Sequence, residues 1–305
     1  MIDPELMKTI DDYMQEQEPE LMKVVDDYMQ RLQSDAAEKA NSQKELRESA
    51  EYQDQLEFLR KTIHDFSETL TDCAFTASRW EQYYGAFLFQ RHLDDILEAA
   101  SMVQLAVELG SLNSARRELR FILEVAVNTA YVDEERSTDS FEERVKFYRG
   151  KSVSKQNVDQ VKKISLDFLG KGRQKFAEHV VEAWVQASNY VHLTKRQVDE
   201  KLALREQGVE KGFETLDMLK NVVDEVHEVC SIVIVLAFNS IGQRATGSLL
   251  VDHLDDIDDW AFHASGYVAL VDAYYDQKNE RQHKLLQHQE RRKLRVRYHA
   301  VALSC

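Results

Sequence analysis

The sequence predicts an all-α protein, a multi-helix bundle with an N-terminal helical arm and a basic C-terminal tail. Three observations carry this. Of 305 residues only 2 are proline, Pro4 and Pro19, and only 10 are glycine, so most of the chain lacks backbone breakers. Apolar residues recur at steps of three and four, which is the spacing of one helical face. Strand-like alternation is confined to the extreme C-terminus.

The first element is a duplicated helix. PELMKTIDDYMQ, Pro4 to Gln15, recurs as PELMKVVDDYMQ, Pro19 to Gln30. Leu6, Ile10, Tyr13 and Met14 in the first copy, and Leu21, Val25, Tyr28 and Met29 in the second, fall at helical spacing. Proline suits the first turn of each copy and is expected to break the helix between them. Two readings stand side by side: an amphipathic arm packing on its own domain, or a repeated helix that docks in a partner's groove. Residues 31–56 are rich in Gln, Glu, Lys, Ser and Ala and read as a solvated helix or hinge. The expected division is therefore an arm over 1–56, a helical body over 57–277 and a basic tail over 278–305.

Within the body, Gly110 reads as a helix stop and Asn113 as the N-cap of the next helix, SARRELRFILEVAVNTAYV. Ser140 with Glu143, and Thr194 with Gln197, form capping boxes. The first opens a short helix ending near Gly150, and the second a helix ending near Gly208. Gly170 and Gly172 interrupt the chain before a helix over 173–191. Long helices are expected from about 211 to 241 and from about 248 to 290. Ile232 to Phe238, the most apolar run, reads as the buried middle of a core helix, because it is far short of the roughly 20 residues a membrane span needs. Near the end, Leu294, Val296, Tyr298 and Ala300 alternate with Lys293, Arg295, Arg297 and His299, the pattern of a strand with one basic face.

A net charge of -15 argues against nonspecific nucleic-acid binding by the whole surface. Cys73, Cys230 and Cys305 form no paired motif, no apolar leader follows the N-terminus, and a reduced cytoplasmic setting is expected. Basic residues gather at the other end: Arg281, Lys284, Arg291, Arg292, Lys293, Arg295 and Arg297. They suit phosphates, or the acidic surface of a second copy or partner.

Two constellations bear chemistry. Arg120, Glu124, Asn128 and Tyr131 lie at steps of four, four and three, on one stripe of a largely apolar helix. Such a half-buried stripe is either a ligand-contact surface or a structural ion pair, with Arg120 and Glu124 as partners. In ASNYVHLT, Asn189 and His192 are three apart and share a helical face, and a histidine there suits proton transfer near neutral pH. A third set, Asp252, Asp256, Asp259 and His263, is expected on one helical face. It reads as a solvated acidic surface rather than a metal site. Gly150-Lys151-Ser152 lacks the earlier glycine and the preceding strand of a phosphate loop. No cofactor motif is present, and none is expected.

The order of these features, SARRELRFILEVAVNTAYV, a variable acidic stretch, a helix ending SNYVHLT and then a long apolar helix, resembles HEPN-like helical domains of the abortive-infection kind over about residues 75–245. The resemblance implies metal-independent RNA cleavage, often where two copies meet in a dimer. The family's histidine works on the ribose 2′-hydroxyl and its arginine on the phosphate charge. Asn189 and His192 match the family's polar residue and histidine. The arginine position falls at Ser188 or a neighbour, so Arg120, with Glu124 beside it, is the stand-in from another helix. Arg173 and His179 in RQKFAEH form a second match. The expected function is that of a defence protein acting on RNA. The alternative is a non-catalytic helical adaptor holding protein partners through residues 1–30 and 291–305. Expected partners are a second copy or larger assembly, RNA, and no membrane.

Overall fold

A computed structural model describes residues 4–79, 87–152, 158–190, 198, 202 and 212–295. No strand occurs among the described residues, and the all-α class holds. The chain divides into two compact units, Met1–Gln53 and Asp54–Cys305.

The first unit is dominated by α1, Pro4–Glu48, 45 residues long. The break expected at Pro19 does not occur. Proline deletes one backbone hydrogen bond and costs about 3 kcal/mol in a helix interior, but uninterrupted helix on both sides carries the chain through. Met22, Val24, Tyr28, Met29 and Leu32 are exposed. Of the two readings of 31–56, solvated helix or hinge, the segment is helix, mostly exposed, interrupted at Ser49, whose hydroxyl donates to the Leu46 carbonyl at 2.6 Å and accepts from the Tyr52 amide at 3.4 Å. Helix α2, Ala50–Ser78, follows.

In the second unit, α2 buries Leu56, Leu59, Ile63, Phe66, Leu70 and Cys73, a run of three- and four-residue steps. After the short α3, Leu88–Arg91, helix α4 spans Leu93–Glu108. Gly110 ends it at φ 67°, a conformation that suits glycine; its amide donates to Val107 and that of Ser111 to Ala106. Helix α5, Leu112–Glu135, begins with Ser111 rather than the expected Asn113 at its N-cap position, and the Ser111 side chain makes no capping bond. It is the centre of the bundle, with α4, α7 and α8 packed on it.

Helix α6, Phe141–Ser152, opens with the expected capping box: the Ser140 amide donates to Glu143 at 3.0 Å and the Glu143 amide to the Ser140 hydroxyl at 3.3 Å. Tight 3-10 turns over Val158–Lys163 and Asp167–Gly172 lead into α7, Arg173–Ser188. The Thr194–Gln197 box and the helix expected up to Gly208 lie outside the described residues. Helix α8, Leu216–Asp252, breaks at Gly242, φ 81°, one residue past the expected stop. Ile232 to Phe238 is wholly buried, as expected, and each such side chain contributes about 1.5–3 kcal/mol.

The long helix expected over 248–290 is not formed. After Asp252 come short 3-10 turns, then α9, Gly266–Tyr274, capped by the Ser265 hydroxyl, and α10, Leu285–Arg295. Long-range hydrogen bonds hold the irregular stretch: Asp65 accepts from the Ala261 amide at 2.7 Å, and Trp260 donates to Thr69 at 3.1 Å. Asp252, Asp256, Asp259 and His263 therefore do not share one helical face. Asp259 pairs with Lys61, and His263 donates to the Ile257 carbonyl.

Nor is the segment from 278 a loose tail where it is described. Arg281 is 1% exposed and forks onto Asp255, with Asp272 and Asp276 beside it. Arg292 binds Asp272 and Asp276. Residues 293–295, expected to enter a strand, belong to α10, and 296–305 lie outside the described residues. Half-buried carboxylates draw these arginines in, which alternation along the sequence does not reveal.

Candidate functional site

The polar stripe of α5 faces α7 and α8. Arg120 reaches Glu124 one turn on, with Nε and Nη2 at 2.9 and 2.8 Å from Oε1, and both side chains are only 12–13% exposed. The expected ion pair is therefore present. It is reinforced from α7, where the Trp184 indole donates to the same oxygen at 2.9 Å and the Arg120 guanidinium lies 5.2 Å from the Trp184 ring. Asn128 and Tyr131 complete the stripe and are buried, with Lys163 5.6 Å above the Tyr131 ring.

One turn before Arg120, Arg116 forks onto Glu225 of α8 at 2.7 and 2.8 Å and lies 4.5 Å from the Tyr190 ring. Arg117, exposed, donates through Nε to the Tyr190 carbonyl at 2.8 Å. Two guanidiniums from the start of α5 thus clasp the chain where it leaves α7. Asn189, half-buried, closes that helix, its amide donating to Val185 and Gln186. His192 lies outside the described residues.

The second sequence match is separated by helix geometry. Arg173 and His179 are six residues apart, about 240° around the axis of α7. Arg173 donates to the Lys162 carbonyl at 3.2 Å beside a hollow on the surface. His179 turns inward, bound to Glu228 of α8, with the Tyr267 ring 5.4 Å away. Burial, followed by the charges of Glu228, Glu182 and Glu178, pushes the Tyr267 hydroxyl well above its ordinary range. It stays a neutral phenol there. Arg173 and His179 therefore have different surroundings.

Sequence reasoning missed Arg116, Trp184, Tyr190 and Glu225. Arg116 carried a signal, since it precedes Arg120 by four on the same stripe. Trp184 and Glu225 carried none, because their roles depend on how helices far apart in sequence pack. A buried histidine was also missed: His227 donates to the Ala261 carbonyl at 3.0 Å and stacks between Phe58 and Phe262.

No group of three or more His, Cys, Asp or Glu side chains placed to hold a metal occurs among the described residues. Among the same residues, no helix is long and apolar enough to cross a membrane. No family model, curated protein or solved structure matches the chain.

Proposed function

We propose that the protein is an HEPN-like defence protein that cleaves RNA without a metal, with His192 as general base. One observation supports this above others: Arg116 and Arg117 hold Tyr190, two residues before His192 in sequence, so the chain leaves α7 beside guanidinium groups. The motif lacks an arginine at its own position near Ser188, and α5 supplies the residue type next to it. Arg120, the stand-in expected from sequence, is bound to Glu124 and stacked on Trp184. In this reading it positions α7 on α5 and does not touch RNA.

The chemistry follows from residue types. His192 takes the proton of a ribose 2′-hydroxyl, and the oxygen attacks the adjacent phosphorus. The bond to the 5′-oxygen breaks, leaving a 2′,3′-cyclic phosphate and, after proton return, a 5′-hydroxyl. Arg117, which donates to the Tyr190 carbonyl, is the guanidinium this reading assigns to the charge building on the phosphate, an effect that reaches several kcal/mol in a water-poor site. Asn189 orients the base. Two copies assembling would bring two such sites together, as in the family it resembles.

Incubation of the chain with single-stranded RNA in excess chelator tests this. Cleavage by the wild type, lost in His192→Ala with helical circular dichroism retained, is the expected result. Intact RNA with the wild type, alone and under assembly conditions, contradicts it.

A second reading, the helical adaptor, draws on a different observation: the exposed Met22, Val24, Tyr28, Met29 and Leu32 of α1. It assigns residues 1–30 and 291–305 to protein partners and predicts that deleting residues 1–30 dissolves a complex while the body stays folded.

A further inference from the structure

We propose that the surface hollow between the Val158–Lys163 turn and the start of α7 is a phosphate-binding site formed by Lys162, Lys171 and Arg173. The hollow has a volume of about 630 Å³ and is also lined by Gly170, Gln174 and Glu178. That is room for a nucleotide-sized group.

Charge is the first argument. The chain carries -15, yet residues 158–175 hold five cations, Lys162, Lys163, Lys171, Arg173 and Lys175, against two acids, Asp159 and Asp167, a local balance of +3. Three of those cations converge on one concavity with Glu178 as its single acid. Like charges drawn together raise one another's energy unless an anion joins them. The fold offers them little such charge here. Glu178 accepts from Gln174 at 2.9 Å, and Lys171 has no ion-pair partner among the described residues. Lys162 pairs with Asp159 at 2.7 Å, with both side chains about half exposed. Such surface pairs are weak and open readily to a stronger anion.

Positioning is the second argument. Arg173 donates through Nη2 to the Lys162 carbonyl at 3.2 Å, which ties the helix to the preceding turn and fixes one edge of its guanidinium. A planar guanidinium held this way, with two lysines lining the same hollow, suits a phosphate dianion better than a carboxylate. It offers a fork to two oxygens and charge to a third. The phosphate belongs either to an RNA strand or to a free nucleotide, and the chemistry of recognition is shared. The inference does not depend on His192 as a catalyst.

The test titrates the full-length chain with inorganic phosphate, with adenosine monophosphate and with a 5′-phosphorylated RNA hexamer, at low salt and by calorimetry. Lys162→Glu/Lys171→Glu is run in parallel, with circular dichroism checking the fold. If the double variant does not fold, Lys171→Ala, an exposed truncation, replaces it. Saturable binding by the wild type, weakened about tenfold or more in the variant, is the expected result. Binding of the hexamer alone assigns the site to RNA, and equal binding of the mononucleotide assigns it to a free nucleotide. Absence of saturable binding for all three ligands, or unchanged affinity in a folded variant, overturns the proposal. Because the readout is binding, loss of cleavage in His192→Ala does not affect it.

Discussion

Trp184 donates its indole N–H to Glu124 at 2.9 Å, joining residues 60 apart in sequence across the α5–α7 contact. The same carboxylate oxygen receives Arg120. Three side chains thus share one half-buried polar junction, and α7 is held on α5 by it.

Trp184→Phe removes one donor and leaves the ion pair, so a loss of about 1–2 kcal/mol is expected. Arg120→Ala leaves the Glu124 charge without its closest cation and should cost more. The double variant with Glu124→Ala should cost less than the sum of the single changes, because neither partner is then left uncompensated. Urea unfolding of the set measures this, and additive losses contradict the shared junction.

Arg281 and Arg291 should separate sharply. Arg281 is 1% exposed among Asp255, Asp272 and Asp276, so Arg281→Ala leaves clustered, half-buried carboxylates without their shared cation and should cost about 3 kcal/mol. Arg291 meets Asp258 at 3.2 Å where Asp258 is 72% exposed, and Arg291→Ala should cost less than about 1 kcal/mol. Similar midpoints for the two variants would refute the buried cluster.

Asp133 accepts from the Leu88 and Phe89 amides at 2.7 and 2.8 Å and lies 3.4 Å from Arg144. Burial still dominates, and the carboxyl is pushed up to about 6, above its unfolded value near 3.9. The folded state therefore holds this proton more tightly, and its contribution to stability is present in acid and lost as pH rises from about 4 to about 6. Relative to Asp133→Asn, the wild type should lose stability across that window and level off above it. A difference flat from pH 4 to 7 contradicts the assignment.

Cys73 and Cys230 are fully buried, and burial raises both thiols far above their ordinary range. Iodoacetamide should modify neither in the native protein, and both should react in denaturant. Mass spectrometry reads the result, and rapid native labelling of either would place it at the surface.

What the sequence made legible was local. The Ser140–Glu143 box, the stop at Gly110, the break near Gly242 and the Arg120–Glu124 pair each depend on residues within four positions of one another, where helix geometry alone sets the contact. Arg281 defeated that logic, since its carboxylates come from 9 and 26 residues away and turn an apparent basic tail into part of the body. The stretch after Asp252 reads as helix by spacing, yet hydrogen bonds to Asp65 and Thr69, almost 200 residues back, favour turns. In the candidate site, residue types on α5 were readable, but the clasp of Arg116 and Arg117 on Tyr190 depends on how α5 meets the end of α7.

The central claim concerns the bond broken in RNA. With chelator present, wild-type protein should convert a defined single-stranded RNA into fragments ending in 2′,3′-cyclic phosphate, and Arg117→Ala should slow this about 100-fold or more. His192→Ala should yield none. Fragments with 3′-hydroxyl ends, dependence on added metal, or full activity in His192→Ala would contradict it.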